Sequence, residues 1–182
     1  MKIFIGALLF SLSVSAASPL VKIFVSLSPA GDFIAETESI TGNAVMNEAG
    51  GIEASNIRVN VKSLKTGVGL RDQHMINKYL EADKYPEVIL KIGKGTAGKG
   101  EAILVIKGKE GKVAGTYGTS ANFLKAEFKV KLSDFGISDI NYRGVGVEDE
   151  VKVEAIVPLV KKAAMAPAAK PAAPAKPPAL KK

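Results

Sequence analysis

The chain has 182 residues and contains no cysteine, no tryptophan and one histidine. Without cysteine there is no disulfide framework, no thiolate metal site, no thiol nucleophile and no N-terminal thiol to carry a lipid. A folded domain must then rest on its core, which a chain of this length can supply with 47% hydrophobic residues. One histidine cannot build a multi-histidine metal site, and no Gly-x-Ser-x-Gly elbow offers it a nucleophile. Long apolar runs are scarce as well. Beyond the N-terminus, none reaches the roughly 20 residues that a membrane-spanning helix needs.

The first residues, MKIFIGALLFSLSVSAAS, place Lys2 ahead of an apolar run and end in small residues. This is the order of a secretory signal peptide over residues 1–17, with a periplasmic or secreted destination for the mature chain.

The net charge of +7 raises the question of nucleic acid, and its distribution answers it. Lys2 and the six lysines from Lys161 to Lys182 account for seven of the 25 basic residues. The remaining 18 face 18 acidic residues, so the domain over residues 18–160 is neutral and nucleic-acid binding loses its electrostatic support. Residues 161–182, KKAAMAPAAKPAAPAKPPALKK, have too little apolar surface to fold and are expected to be a disordered, polyproline-like tail. Such a tail either solubilises the protein or adheres weakly to an anionic envelope polymer or membrane surface.

Between these ends the dominant period is two. Ile57, Val59 and Val61 alternate with Arg58, Asn60 and Lys62. Phe128 and Val130 belong to a similar series from Leu124 to Leu132, and Val153 and Ala155 to another from Val151 to Val157. Turn signals such as SPAGD, NEAGG and KEGK separate about eight such strands, with almost no helix between them. The expected fold is all-β: an antiparallel sandwich or an up-and-down barrel, able to fill itself with side chains or to keep a cavity.

One stretch reads as a helix. In LRDQHMINKYLEADKYPEV, residues 70–88, Met75, Ile76, Tyr79 and Leu80 fall on one face. Asp72 is the expected N-cap, and Pro86 prevents continuation into the strand that follows. A lone histidine at a helix start, without base partners, is expected to be a structural hydrogen-bonding residue. The stretch GKGTAGKG, residues 93–100, satisfies Gly-x-Gly-x-x-Gly, but Gly100 stands where magnesium needs Ser or Thr, and a strand follows instead of a helix. It is read as a hairpin connection. The acidic groups Asp134, Asp139 and Glu148 to Glu150 lack calcium-loop spacing and read as turn and strand-edge charges.

Residues 63–92, SLKTGVGLRDQHMINKYLEADKYPEVILKI, resemble the signature of the YceI-like family through Thr66-Gly67, Arg71-Asp72-x-His74 and Lys84-Tyr85-Pro86. The later segment FKVKLSDFGI, followed by VGVEDEVKVEAIVPL, is also similar. The resemblance implies a lipocalin-like antiparallel barrel of about eight strands with one short crossover helix, exported, holding a polyisoprenoid or similar lipid and no other cofactor. Its expected apolar lining is Ile57, Val59, Val61, Leu90 and Ile92 from the first half of the barrel, Phe128, Val130, Val153 and Ala155 from the second, and Met75, Ile76 and Tyr79 at one end. Arg71, Asp72, His74 and Lys84 either meet a lipid head or form a structural corner. A homodimer stays open as a further partner. The main alternative is a non-enzymatic, packed barrel that binds through its basic tail, and a hydrolase built on His74 is the outsider.

Overall fold

The computed structural model describes residues 18–29, 31–142 and 144–162, with only the backbone of Tyr142. The expected signal peptide, and the expected tail from residue 163 on, lie outside the described residues.

Twelve strands form the sheet: β1 (Leu20–Ser28), β2 (Asp32–Thr37), β3 (Ile40–Thr41), β4 (Ala44–Met46), β5 (Ile52–Asn60), β6 (Glu87–Thr96), β7 (Lys99–Ile106), β8 (Lys109–Ser120), β9 (Phe123–Lys131), β10 (Asn141–Tyr142), β11 (Val145–Val147) and β12 (Glu150–Lys161). From β4 to β9 each strand pairs antiparallel with the next. β12 then pairs antiparallel with β9 along its length and, through Leu159 to Lys161, parallel with β4. The result is a closed barrel of seven strands. An odd number of alternating strands cannot close with antiparallel pairs alone, so one parallel seam is a geometric necessity.

The seam is short, and next to it β12 turns the same edge to β1, with Ile23 opposite Val153 and Val21 opposite Ala155. β1 in turn carries β2 and β11, so the barrel wall continues into a flap at one end. The hairpin expected at GKGTAGKG is there: β6 turns into β7 through Ala97 and Gly98, both with positive φ.

Alternation decides what is buried. Leu124 and Val130 of β9, and Val151, Val153 and Val157 of β12, are buried, while the lysines between them face out. Those lysines form a charge ladder in which Lys152 reaches both Glu154 and Glu127, at 2.9 and 3.2 Å.

Two departures from simple alternation matter. In β6, Leu90 stands opposite Leu104 but Ile92 opposite Ile103, so β6 holds one residue more than β7. This bulge reverses the phase: Gly93 is buried and Ile92 is 43% exposed. In β5 the strand ends at Asn60, and Val61, expected to continue it, lies in a 3₁₀ turn spanning Val61–Ser63 where it is buried against Leu64 and Ala82. The Asn60 side chain accepts a hydrogen bond from the Lys62 backbone and starts that turn.

The crossover contains α1 (Gly69–Gln73), which continues as a π-helical stretch over His74–Tyr79. The Leu80 amide donates to the Met75 carbonyl at 2.9 Å, the i to i+5 spacing of a π turn. Asp72 is not the N-cap. Val68 takes that position without a side-chain bond, and the Asp72 carboxylate reaches back to Thr66.

Candidate functional site

A cavity of about 430 Å³ opens at the flap end of the barrel. That lies within the roughly 300–1,000 Å³ typical of ligand pockets. One wall is the flap: Ile23, Val25 and Leu27 alternate along β1, and Phe33 and Ala35 along β2. Their register, Ile23 opposite Ala35 and Val25 opposite Phe33, keeps them on one face. The facing wall is the crossover, with Leu70, Met75, Tyr79 and Leu80, and the connection after β9 adds Leu132, Ile137 and Ile140. Val147 and Val151 complete the enclosure. Among the lining residues only Arg71, His74 and Tyr79 carry polar side-chain atoms.

Burial grades from one end to the other. Val68, Leu70 and Val145 line the cavity at 49%, 54% and 39% exposure and form its rim. Val25, Ile137 and Val151 line it while nearly fully buried, and form its floor. The rim is thus an exposed apolar edge around an apolar interior.

The start of the crossover is tied down by a polar corner. Thr66 donates to the Asp72 carboxylate from its backbone N–H at 2.8 Å and from its hydroxyl at 2.6 Å. Arg71 donates from Nε to the same hydroxyl and from a terminal nitrogen to the Thr66 carbonyl. Burial pulls the Asp72 carboxyl upward, but the Thr66 hydrogen bonds and the charges of Lys65 and Arg71 outweigh it and hold the group below its ordinary range. The Arg71 guanidinium also lies 4.2 Å from the centre of the Phe33 ring, so the corner grips the flap. The far end of the crossover is fixed by Lys107, whose ammonium pairs with Glu81 at 2.6 Å.

The structure distributes the residues expected from sequence among different places. Arg71, His74, Met75 and Tyr79 line the cavity. Asp72 stands behind it in the corner, and Ile76 packs with Val61 in a separate small cluster under the crossover. Leu90 and Phe128 border a second, half-open pocket of about 90 Å³ among the barrel strands, lined in part by the exposed residues Lys94, Glu101 and Thr116. Val59, Val130, Val153 and Ala155 belong to the packed layer that borders neither space, and Ile57 packs in the cluster beyond it. Ile92 is exposed by the bulge, and Lys84 lies over the Tyr85 ring, outside the cavity lining.

The β1 and β2 lining is not among the residues expected from sequence. Its signal is visible as period-two alternation at Ile23, Val25 and Leu27, but nothing in the sequence places β1 outside the barrel circuit. Among the described residues no helix is long and apolar enough to cross a membrane.

A family model described as the YceI-like domain matches residues 21–158. Among solved structures, BcnA from Burkholderia cenocepacia matches with a TM-score of 0.57 at 17% identity, over 75% of this chain and 94% of that one. A polyisoprenoid binding domain from Saccharophagus degradans, implicated in plant cell wall breakdown, matches with a TM-score of 0.51 at 14% identity, over 76% of this chain and 91% of that one. At these identities the likeness is one of fold. No curated protein sequence matches the chain.

Proposed function

The chain belongs to the YceI-like family, and from that premise we propose that it is a binding protein, not a catalyst, which holds an isoprenoid or similar amphiphilic lipid in the flap-end cavity. The observation that carries this is the cavity itself: about 430 Å³, bounded almost wholly by apolar side chains and opening through the exposed rim of Val68, Leu70 and Val145.

The energetics favour a tail-dominated ligand. Each buried CH₂ is worth about 0.8 kcal/mol, so one five-carbon unit contributes roughly 4 kcal/mol before association costs. An exposed ion pair to a head group adds about 0–1 kcal/mol. Arg71, braced by Thr66 close to the rim residues Val68 and Leu70, is the cation best placed to meet a head group. The Saccharophagus domain, named for polyisoprenoid binding, supports the ligand class through its shared fold. The N-terminal pattern supports export, with transport, storage or stress protection of the lipid outside the cytoplasm. Anchoring to an anionic polymer or membrane through the lysine-rich tail would be an accessory to this role.

Native mass spectrometry of protein purified without detergent, with organic extraction of any bound species, tests the proposal. A co-purifying lipid, or stoichiometric uptake of added farnesol, is the expected result. Protein that arrives empty and takes up no added prenyl compound overturns it.

A further inference from the structure

Two spaces, one between the flap and the crossover and one among the barrel strands, bear on ligand size. The floor residues of the large cavity, Val25 and Val151, belong to the same buried cluster as Leu104, which borders the small pocket. Val130 and Val153 of that cluster border neither space. The register fixes their position. Val153 of β12 is opposite Ile23 of β1 on one side and Phe128 of β9 on the other. Ile23 lines the large cavity and Phe128 the small pocket, so Val153 stands between the two. Val130, 3% exposed, is opposite Val151 of the floor and extends the barrier by one rung.

We propose, resting on the lipid-binding function above, that Val153 and Val130 are a chain-length stop. The protein then takes an amphiphile with a short apolar chain, a few prenyl units or their equivalent, and rejects long polyprenyl chains. A chain entering at the rim runs along the β1 and β2 wall and ends against the floor. A longer one must leave its surplus in water, which gains nothing, or displace a close-packed layer, which costs more than the extra burial returns. The pocket beyond the stop, at about 90 Å³, offers far less room than the cavity of about 430 Å³ in front of it.

The test is binding of the linear prenyl alcohols geraniol, farnesol, geranylgeraniol and solanesol to the full chain, by displacement of a bound anilinonaphthalene dye. The expected profile peaks at farnesol or geranylgeraniol, with solanesol weaker by about tenfold or more. Val153→Ala, which connects the large cavity toward the small pocket, moves the peak to a longer alcohol. Val25→Leu, which fills the floor from the cavity side, moves it to a shorter one. Opposite shifts from two core substitutions are not what general destabilisation produces, and Val25→Leu carries the test alone where Val153→Ala does not fold. Wild-type affinity that keeps rising through solanesol, or a peak that neither variant moves, overturns the stop while leaving lipid binding intact. Failure of every alcohol to bind overturns lipid binding, and the stop with it.

Discussion

The Arg71 guanidinium stacks on the Phe33 ring at 4.2 Å, joining the crossover to the β2 edge of the flap across one side of the cavity. The same side chain donates to Thr66 twice, so a single residue ties three segments together. Arg71→Met removes the stack and both hydrogen bonds and is expected to destabilise the fold by about 1–3 kcal/mol. Arg71→Lys should recover little of this, since an ammonium has neither the planar face nor the fork. Urea unfolding of the three proteins measures it, and full recovery by lysine would show that charge alone matters.

Asp72 should make the crossover sensitive to acid. Its folded pKa lies below the ordinary value of 3.8, so the unfolded chain binds the proton more readily. The stabilisation is therefore fully present above the ordinary value and is lost as pH falls through the folded value. Asp72→Asn is expected to cost about 1–3 kcal/mol at neutral pH and to flatten the acid limb of a stability-against-pH curve. A variant whose acid limb matched the wild type would assign that limb to other carboxylates.

Gly111 lies under the ring of Phe135, and a methyl group there would overlap it. Phe135 is 2% exposed and belongs to the main buried cluster. Gly111→Ala should cost about 1–3 kcal/mol by overpacking. Adding Phe135→Leu should relieve part of that, giving a coupling of about 0.5–3 kcal/mol in a double-mutant cycle. Additive effects would mean that the ring turns aside freely.

The rim should govern entry more than stability. Leu70 is 54% exposed, so Leu70→Asp is expected to change unfolding free energy by no more than about 0.5 kcal/mol. It places a charge at an apolar entrance, and transfer of farnesol from anionic vesicles to the protein should slow. Unchanged transfer kinetics would move the entrance elsewhere.

The outer charge ladder should matter little. Lys152 sits between Glu127 and Glu154 with a side chain 46% exposed, where solvent and salt screen the pairs. Lys152→Ala should cost no more than about 1 kcal/mol, with a difference that shrinks as salt is added.

Much of the barrel is visible in the sequence because β9 and β12 alternate without interruption, and their buried rows meet in register from Leu124 and Val157 to Val130 and Val151. Where a single residue breaks the period, the inference inverts. Lys91 is the extra residue of the β6 bulge, and it sends Ile92 outward although its apolar character suits the core. Asp72 suits an N-cap by type and position, but Thr66 offers two donors at close range and the carboxylate turns to them. The cavity lining was harder, because pairing partners and not periodicity decide it. The alternation of β1 resembles that of β12, yet β1 lies outside the seven-strand circuit and walls a pocket, while Val130 and Val153 are buried and line neither space.

The parallel seam has a consequence for how the chain reaches this state. From β6 to β9 the meander is made of neighbouring hairpins with short loops and low contact order, while β5 reaches β6 only through the long crossover. Closure must wait for Leu159 to find Ala44, near the opposite end of the domain's sequence. Until then β4 and β9 are two open edges, each able to recruit a strand from another molecule. The β12–β4 seam is thus the contact of longest range in the barrel circuit, and a lesion that delays it is expected to leave an open edge that favours aggregation even when the finished barrel would be stable.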